Sequence, residues 1–389
     1  MKFILAALAL MFGAMQAPAQ QSQQQQQQQQ ARPPAPRTYS QTDLWERTSD
    51  RITFRLGAIS FPTNAGPTRL NRIVEASHQG QGLDNALLYY SPDEQVFVSV
   101  YAYAPALPDA GLTAFMTDYA IHMTSGAALR VLRSGLVAAG GRDGVAIRID
   151  YAGARDERLA SSAAFLRVGR WIIKLRVSGP EARRAEVEQA MAALLAGLRF
   201  DGRAVPDAPL PVAATDCPRD SARAARPMLS DDSETMADAI MAHVVVEAEE
   251  GLAQSGRPIS LHGASHWCRT EGFRMANTMG PTPVLRDLTP RPEGEMDRRV
   301  LVALLADNGT MLEVVERSLH NRTRYVLVHH QIGRTMVLGA YDGIPTDAQL
   351  AAIMSGEDRQ GGSARAVIDY EASGDSRISV STGPPPPRT

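Results

Sequence analysis

The chain has 389 residues, of which 44% are hydrophobic and 21% are charged, and this composition excludes a wholly disordered or fibrous protein. The 40 basic and 42 acidic side chains nearly cancel, so the chain lacks the basic excess that is typical of nucleic-acid-binding proteins. At about 150 residues per domain, this length allows two folded domains.

Residues 1–19 have the pattern of a secretory signal peptide. Lys2 supplies the positive charge, residues 3–15 are apolar, and Ala17 and Ala19 are small residues at the positions that signal peptidase recognises. This apolar segment is shorter than the roughly 20 residues that a bilayer span needs, and no later segment is long enough. We therefore predict a periplasmic or secreted protein with no membrane span in the mature chain; a retained signal anchor and a buried N-terminal helix are the alternatives.

Low-complexity segments flank the part of the chain that is predicted to fold. Residues 20–41 form a leader rich in Gln and Pro, and residues 357–389 form a tail rich in Gly and Pro, with four prolines at 384–387. Such segments bury too little apolar surface to offset the entropy of ordering, so both are predicted to be disordered. Either segment is also a candidate for contact with another protein.

Residues 42–202 are predicted to form an α+β domain. Val96, Val98 and Val100 alternate with other residues in segment 95–103, which is the period of a half-buried strand. An antiparallel sheet covered by helices fits the order of the elements. The predicted strands are 85–90, 95–103, 129–138, 143–151, 159–168 and 170–177, and the predicted helices are 112–123 and 180–195.

A Pro-rich linker, 203–215, precedes a second predicted α+β domain at 216–356. Asp307-Asn308-Gly309 has the composition of a hairpin turn, because Asn-Gly tolerates positive φ. Each domain is therefore predicted to be a helix–sheet sandwich. The predicted helices are 233–252 and one that follows Thr346, and the predicted strands are 258–266, 271–278, 299–306, 310–318, 323–331 and 334–341.

The two predicted domains share a local motif. Gly169-Arg170 and Gly333-Arg334 are each followed by one variable residue and two apolar residues, and then by a strand, a break and a helix. A degenerate duplication of one fold explains this similarity, and coincidence between two strand-to-helix junctions is the alternative.

The first domain resembles a PsbP-like domain. The resemblance rests on the early Ile-Ser-Phe-Pro at 59–62, the strand at 169–175, Ser-Gly-Pro-Glu at 178–181 and the helix end at 194–200. It implies a helix–sheet–helix sandwich and a non-enzymatic binding or assembly role. These motifs are structural, so the resemblance transfers no functional residue.

Cys217 and Cys268 are the two cysteines of the chain. An even number of cysteines in a chain predicted to reach an oxidising compartment indicates a disulfide. A metal-binding or nucleophilic thiol is the alternative.

Six of the eight histidines lie in the second predicted domain. His266 and Cys268, two residues apart on a strand, face the same way and could share an ion, with His329 or His330 as a third ligand from a neighbouring strand. His262 lies about 13 Å from His266 on such a strand, too far for one ion to bind both. His243 on the predicted helix is a further candidate. A divalent metal is thus the one cofactor considered, and ordinary surface or core histidines are the alternative.

That helix lies in an acidic segment with seven carboxylates and no Lys or Arg between Arg226 and Arg257. The segment is either a surface for a cation or a basic partner, or a solvated, solubilising helix face.

No G-x-S-x-G, H-E-x-x-H, P-loop or G-x-G-x-x-G motif is present. This favours a non-enzymatic protein that binds an envelope protein or a small ligand, or that acts in envelope assembly through its tails. It does not exclude an enzyme, because catalytic groups often come from distant segments. The alternative is a periplasmic metal-dependent hydrolase with its site in the second domain.

Overall fold

The structure is a computed structural model that describes residues 37–77, 80–201, 206–207, 212–218, 223–254, 266–275, 280–289, 297–319 and 322–381. The predicted signal peptide, most of the predicted leader, His262 and the prolines at 384–387 lie outside these residues. The described residues from Thr38 onward belong to one compact unit.

A small sheet at the start of this unit joins its N-terminal strands to a strand much later in the chain. Helix α1 (Gln41–Leu44) is capped by Ser40, whose hydroxyl accepts a hydrogen bond from the backbone N–H of Asp43. Among the described residues the sheet has four strands in the order β1-β2-β3-β12. They are β1 (Trp45–Arg47), β2 (Arg51–Phe54), β3 (Ile59–Pro62) and β12 (Arg199–Phe200).

A nine-stranded antiparallel sheet follows, with the order β4-β5-β6-β7-β11-β10-β9-β8 and β13 paired to β10, as far as the chain is described. This confirms an antiparallel sheet in the first half of the chain. The strands are β4 (Asn64–Ala65), β5 (Thr68–Glu75), β6 (Asp84–Tyr90), β7 (Phe97–Tyr103), β8 (Arg130–Ala139), β9 (Arg142–Gly153), β10 (Leu159–Val168), β11 (Trp171–Pro180) and β13 (Pro206–Asp207).

In the described part of the chain, three helices accompany this sheet: α2 (Ala110–Ser125), the short α3 (Ala154–Glu157) and α4 (Arg184–Gly197), which follows a 3-10 turn. Helix α2 packs against a cluster that includes Ile147 of β9, whereas α4 packs against one that includes Ala146. Because successive side chains of a strand point to opposite faces, the two helices cover different faces of the sheet.

The second half forms a sheet that has ten strands in the described part of the chain, in the order β14-β16-β17-β18-β19-β20-β21-β22-β23, with β15 on β21. Strands β14 and β16 are parallel and the other pairs are antiparallel. Helices α5, α6 and α7 complete this half. The elements are β14 (Ala214–Asp216), β15 (Pro227–Met228), α5 (Asp232–Gln254), β16 (Trp267–Arg269), β17 (Val284–Asp287), β18 (Asp297–Leu304), β19 (Met311–Leu319), β20 (Arg322–Gln331), β21 (Arg334–Tyr341), α6 (Asp347–Ser355), α7 (Arg359–Gly362), β22 (Ala366–Tyr370) and β23 (Ser376–Val380).

The prediction of a disordered tail from residue 357 is wrong for residues 357–381, which contain α7, β22 and β23. Strand β22 pairs with β21, and Ala366, Ile368 and Tyr370 are buried in the core of the second sheet. These three alternating apolar residues supply a buried face, which the Gly, Ser and Pro content of the segment concealed.

The predicted strand at 271–278 is also wrong for its described residues, 271–275. Phe273 forms an isolated bridge with Thr282, and no strand is present in this stretch. Gly272 adopts a left-handed φ of 71°, and a Cβ at this position would lie 2.1 Å from the carbonyl oxygen of Thr282. The close turn that glycine permits here interrupts an extended strand.

The two large sheets meet through the segment that leads into α2. The backbone N–H of Ala106 donates to the carbonyl of Gln331, and that of Gly333 donates to the carbonyl of Ala104. Leu107 and Leu112 are buried in the same cluster as residues of the second sheet. The predicted domain boundaries at 202 and 216 stay predictions, and the two halves share a buried core. None of the described helices is both long and apolar enough to cross a membrane.

Candidate functional site: a cleft beside the disulfide

Cys217 and Cys268 form a disulfide with an S–S distance of 2.01 Å, which confirms the predicted pairing. Strand β14 lies parallel to β16, and the backbone N–H of Cys217 donates to the carbonyl of Arg269 at 2.9 Å. The disulfide therefore fastens the segment 212–218 to the edge of the second sheet. Both sulfur atoms are bonded, so neither cysteine offers a thiolate to a metal ion or to a substrate.

An open cleft of about 970 Å³ lies beside this disulfide, within the size range of ligand sites. Its wall combines helix α2 of the first half with the sheet edge and the start of α6 in the second half. The lining residues are Tyr119, Met123, Asp216, Cys217, Pro218, Arg269, Thr270, Glu271, Pro283, Arg286, Thr346, Asp347 and Ala348.

Helix α2 is held at the cleft by contacts with the turn that precedes β17. The hydroxyl of Tyr119 donates to the carbonyl of Pro281 at 2.8 Å. The side chain of Met123 lies against Gly280, where a Cβ would be 2.9 Å from the Met123 methyl group. Burial raises the pKa of Tyr119, and the positive charges of Arg269 and Arg274 oppose this rise, so Tyr119 stays a neutral donor.

Asp347 is hydrogen-bonded through only one of its two carboxylate oxygens among the described residues. It follows Thr346, which caps α6 in a capping box with Gln349. Oδ2 of Asp347 accepts hydrogen bonds from the Thr270 hydroxyl at 2.7 Å and from the Gly272 N–H at 3.0 Å. Oδ1 is buried and has no hydrogen-bond partner in the part of the chain that the structure describes. Oδ1 is therefore an unpaired buried acceptor in a residue that lines the cleft.

Arg286 supplies the complementary donor. It lies on β17 directly opposite Cys268, and its Nε is buried without a hydrogen-bond partner among the described residues. The other arginine of the lining, Arg269, is bound to Asp216 at 3.1 Å. Buried polar groups are nearly always hydrogen-bonded, so an unpaired donor and an unpaired acceptor in one cleft indicate a polar ligand or water there.

The predicted metal ligands contact separate parts of the second half. His266 is exposed, and its backbone N–H donates to the hydroxyl of Thr289. The ring of His243 on α5 lies beside Tyr370 of β22. Over the described ranges, no group of three or more His, Cys, Asp or Glu side chains is placed to hold a metal ion. Cys268 is in the disulfide, and the metal site has no support in this geometry.

His329 and His330 face opposite sides of the second sheet, because they are adjacent on β20. His330 is hydrogen-bonded to Glu313 and to Thr335. His329 is buried, and its Nε2 has no partner within the described segments. Burial, together with the charge of His330, lowers the pKa of His329 to about 4. His329 is therefore neutral at physiological pH.

The acidic face of α5 is only partly solvated. Asp238 is buried and accepts hydrogen bonds from Arg317 at 2.9 Å and from Arg324. Glu234 lies 3.1 Å from Arg324. Arg317 and Arg324 are directly opposite each other on β19 and β20, so these carboxylates bind the sheet rather than an external cation.

Sequence reasoning did not identify the cleft. The Thr346–Gln349 capping box is a signal that places Asp347 in the first turn of a helix. Nothing local marks Arg286, because its position in the wall of the same cleft as Asp347 depends on the packing of β17 against elements that are remote in the chain.

The comparison with solved structures finds the solution structure of cyanobacterial PsbP (CyanoP) from Synechocystis sp. PCC 6803. The identity is 12%, the match covers 40% of this chain and 94% of that chain, and the TM-score is 0.29. This is the family that residues 42–202 resemble in sequence, and a match with so low a TM-score carries no argument about the function of this chain. No protein-family model and no curated protein matches the sequence.

Proposed function

We propose that the protein is an exported, non-enzymatic binding protein of the cell envelope, and that the cleft beside the disulfide binds an extended peptide segment. The observation that carries the proposal is the pair of unpaired buried atoms, Nε of Arg286 and Oδ1 of Asp347, in one open cleft. The signal-peptide pattern at 1–19 and the disulfide support export, because disulfides persist in oxidising compartments.

A peptide backbone has the chemistry that this cleft requires. Each peptide group carries a carbonyl acceptor and, except at proline, an N–H donor. Both atoms are buried in the free protein, so the side chains must turn toward the cleft for a peptide carbonyl to accept from Arg286 and for a neighbouring N–H to donate to Asp347. Leaving a buried donor or acceptor unpaired costs about 1–3 kcal/mol, so satisfying both groups favours binding. Tyr119 and Met123 add an aromatic and a flexible apolar surface for the side chains of the peptide.

Fluorescence anisotropy with a fluorescein-labelled library of short random peptides tests the site. The wild-type protein should bind the library, and Arg286→Gln should weaken binding at least tenfold, the equivalent of about 1.4 kcal/mol. Arg334→Gln is the matched control, because Arg334 is an exposed arginine of the same sheet that does not line the cleft. Failure of the wild-type protein to bind, or equal binding by Arg286→Gln, contradicts the proposal.

The intact mass of the protein recovered from the envelope tests export separately. Cleavage after Ala19 and the loss of two hydrogens at Cys217 and Cys268 are the expected results. A full-length chain with free thiols contradicts export.

A further inference from the structure

Strand β8 is the end strand of the nine-stranded sheet and, within the described part of the chain, pairs with β9 alone. Three large apolar side chains of this strand are exposed: Val131 at 44%, Leu132 at 51% and Leu136 at 40%. An edge strand also presents unpaired backbone N–H and C=O groups, and long apolar edges commonly pair with a further strand. The edge of β8 can therefore bind another strand through both apolar side chains and backbone hydrogen bonds.

The sequence of this edge is self-complementary. Read outward from Ser134, the strand runs Arg133, Leu132 and Val131 in one direction and Gly135, Leu136 and Val137 in the other. In an antiparallel pair of two copies centred on Ser134, Leu132 is opposite Leu136 and Arg133 is opposite Gly135. Apolar side chains meet each other, and no arginine faces another arginine.

We propose that β8 is a self-association surface, on which a second copy of this chain adds its own β8 in antiparallel orientation about a twofold axis at Ser134. The nine-stranded sheets of the two copies then form one continuous sheet. Such an interface is isologous, because each copy contributes the same strand.

The arginines of β8 do not prevent pairing with a second copy, because in the register centred on Ser134 Arg130 is opposite Ala138 and Arg133 is opposite Gly135. The strand carries Arg130 and Arg133 and no acidic residue. Arg133, near the centre of the edge, is already 3.5 Å from the carboxylate of Asp150 on the neighbouring strand of the same chain. Asp150 is shared with Arg148, which lies 2.9 Å from it, so it offsets only part of the charge of Arg133. The exposed apolar residues are therefore the feature of the edge that favours self-association.

The bulges of β8 leave the centre of this surface regular. The register with β9 shifts at Leu132 and at Ala138, and residues 133–137 stay in continuous register between these positions. Bulges bend and twist a strand, so these two shifts change its course toward its ends. The uninterrupted stretch includes Ser134, on which the proposed pairing is centred.

Disulfide trapping tests the register. Residues directly opposite in an antiparallel pair have Cα atoms about 4.5–5.5 Å apart, within the range that a disulfide spans. In the mature protein, with its native disulfide intact, Ser134→Cys should form a covalent dimer under mild oxidation. Ser373→Cys, at an exposed serine of the second half, is the control and should remain mainly monomeric. Equal cross-linking of the two variants overturns the proposal.

Light scattering after size exclusion tests the surface without a new cysteine. The wild-type protein should show a concentration-dependent dimer, and Leu132→Arg with Leu136→Arg should halve the mass observed at high concentration. Leu288→Arg is the control, because Leu288 is also 51% exposed but lies in the second half. Far-UV circular dichroism shows whether each variant is folded. A wild-type protein that stays monomeric at every concentration, or a dimer that persists in the folded double variant, overturns the proposal.

Discussion

Lys174 and Asp307 form an ion pair that joins the two large sheets. Nζ of Lys174, on β11, lies 2.5 Å from Oδ2 of Asp307, in the turn between β18 and β19. Only 6% of the Lys174 side chain is exposed, compared with 44% of the Asp307 side chain. The ammonium group also lies 5.6 Å from the ring centroid of Tyr101, which is a favourable cation–π geometry. Lys174 is the buried partner of this pair and Asp307 is the exposed one. Substitution of Lys174 and substitution of Asp307 should therefore change the free energy of unfolding by different amounts.

Asp307→Ala should destabilise the protein by about 3 kcal/mol, because it leaves a buried ammonium group without a counter-charge. Lys174→Met should change the free energy of unfolding by less than about 1 kcal/mol, because an apolar side chain of similar length fills the space and Asp307 is hydrated. Urea unfolding measures both. Asp369→Ala, which breaks the exposed pair with Arg334, is the control and should cost under about 1 kcal/mol. Equal effects of Asp307→Ala and Asp369→Ala would contradict this account.

His329 should make stability depend on pH between about 6.5 and 4. Its pKa is about 4 in the folded protein, because burial disfavours the charged ring. The unfolded chain binds a proton near pH 6.5, so it binds more protons in this window and the free energy of unfolding falls as the pH falls. The full contribution is about 3 kcal/mol. Urea unfolding at pH 7 and pH 4.5 should show a smaller difference for His329→Leu than for the wild type.

A second variant at the same position provides the control for this prediction. His329→Gln also removes the titrating ring but keeps a polar side chain, so it should reduce the pH dependence of unfolding as His329→Leu does. If both variants keep the pH dependence of the wild type, the buried ring does not carry the effect.

Gly169 and Gly333, the two glycines of the shared motif, should differ in their tolerance of alanine. Both have left-handed φ angles, 57° and 64°. A Cβ on Gly169 would contact nothing within 4 Å, whereas a Cβ on Gly333 would lie 2.4 Å from Cδ1 of the buried Leu83. We expect Gly169→Ala to cost about 1 kcal/mol from backbone strain alone, and Gly333→Ala to cost at least about 1 kcal/mol more.

A double-mutant cycle with Leu83→Ala measures the steric part of the Gly333→Ala effect. The truncated side chain should make Gly333→Ala less costly, with a coupling energy above about 0.5 kcal/mol. Additive effects would show that the clash with Leu83 is not the cause.

Removal of the disulfide should lower both the free energy of unfolding and the affinity of the cleft for peptides. The bond joins cysteines 51 positions apart, and closing a loop of this length contributes about 4 kcal/mol in the chain-entropy model. Cys217→Ser with Cys268→Ser should therefore unfold at lower urea concentration and bind the peptide library less tightly, because Cys217 lines the cleft. A reductant should reproduce both effects in the wild-type protein and have no effect on the double variant. If the double variant binds peptides as tightly as the wild type, the disulfide does not contribute to the binding site.

The regular elements could be predicted where local signals agree. Val98 and Val100 do lie on a strand, which begins one residue after Val96, and Asn308-Gly309 does form the turn of the β18–β19 hairpin. The prediction of a disordered tail was wrong at β22, where it followed the Gly and Pro content of the segment and not the alternation of Ala366, Ile368 and Tyr370. The duplication suggested by Gly169-Arg170 and Gly333-Arg334 stays a prediction. The two arginines of this motif bind the same part of the chain: Arg170 donates to the carbonyl of Glu371, and Arg334 donates to the carboxylate of Asp369.

The sequence by itself determined the pairing of the two cysteines and most strand and helix positions, because these depend on residue type and on periodicity over short stretches of chain. Only the tertiary structure decided that Lys174 meets Asp307, that Asp238 is buried against two arginines, and that Arg286 and Asp347 line one cleft. These contacts join side chains far apart in the chain, and their positions depend on the order and packing of whole sheets. Local propensity carries no information about which distant charge a side chain will meet.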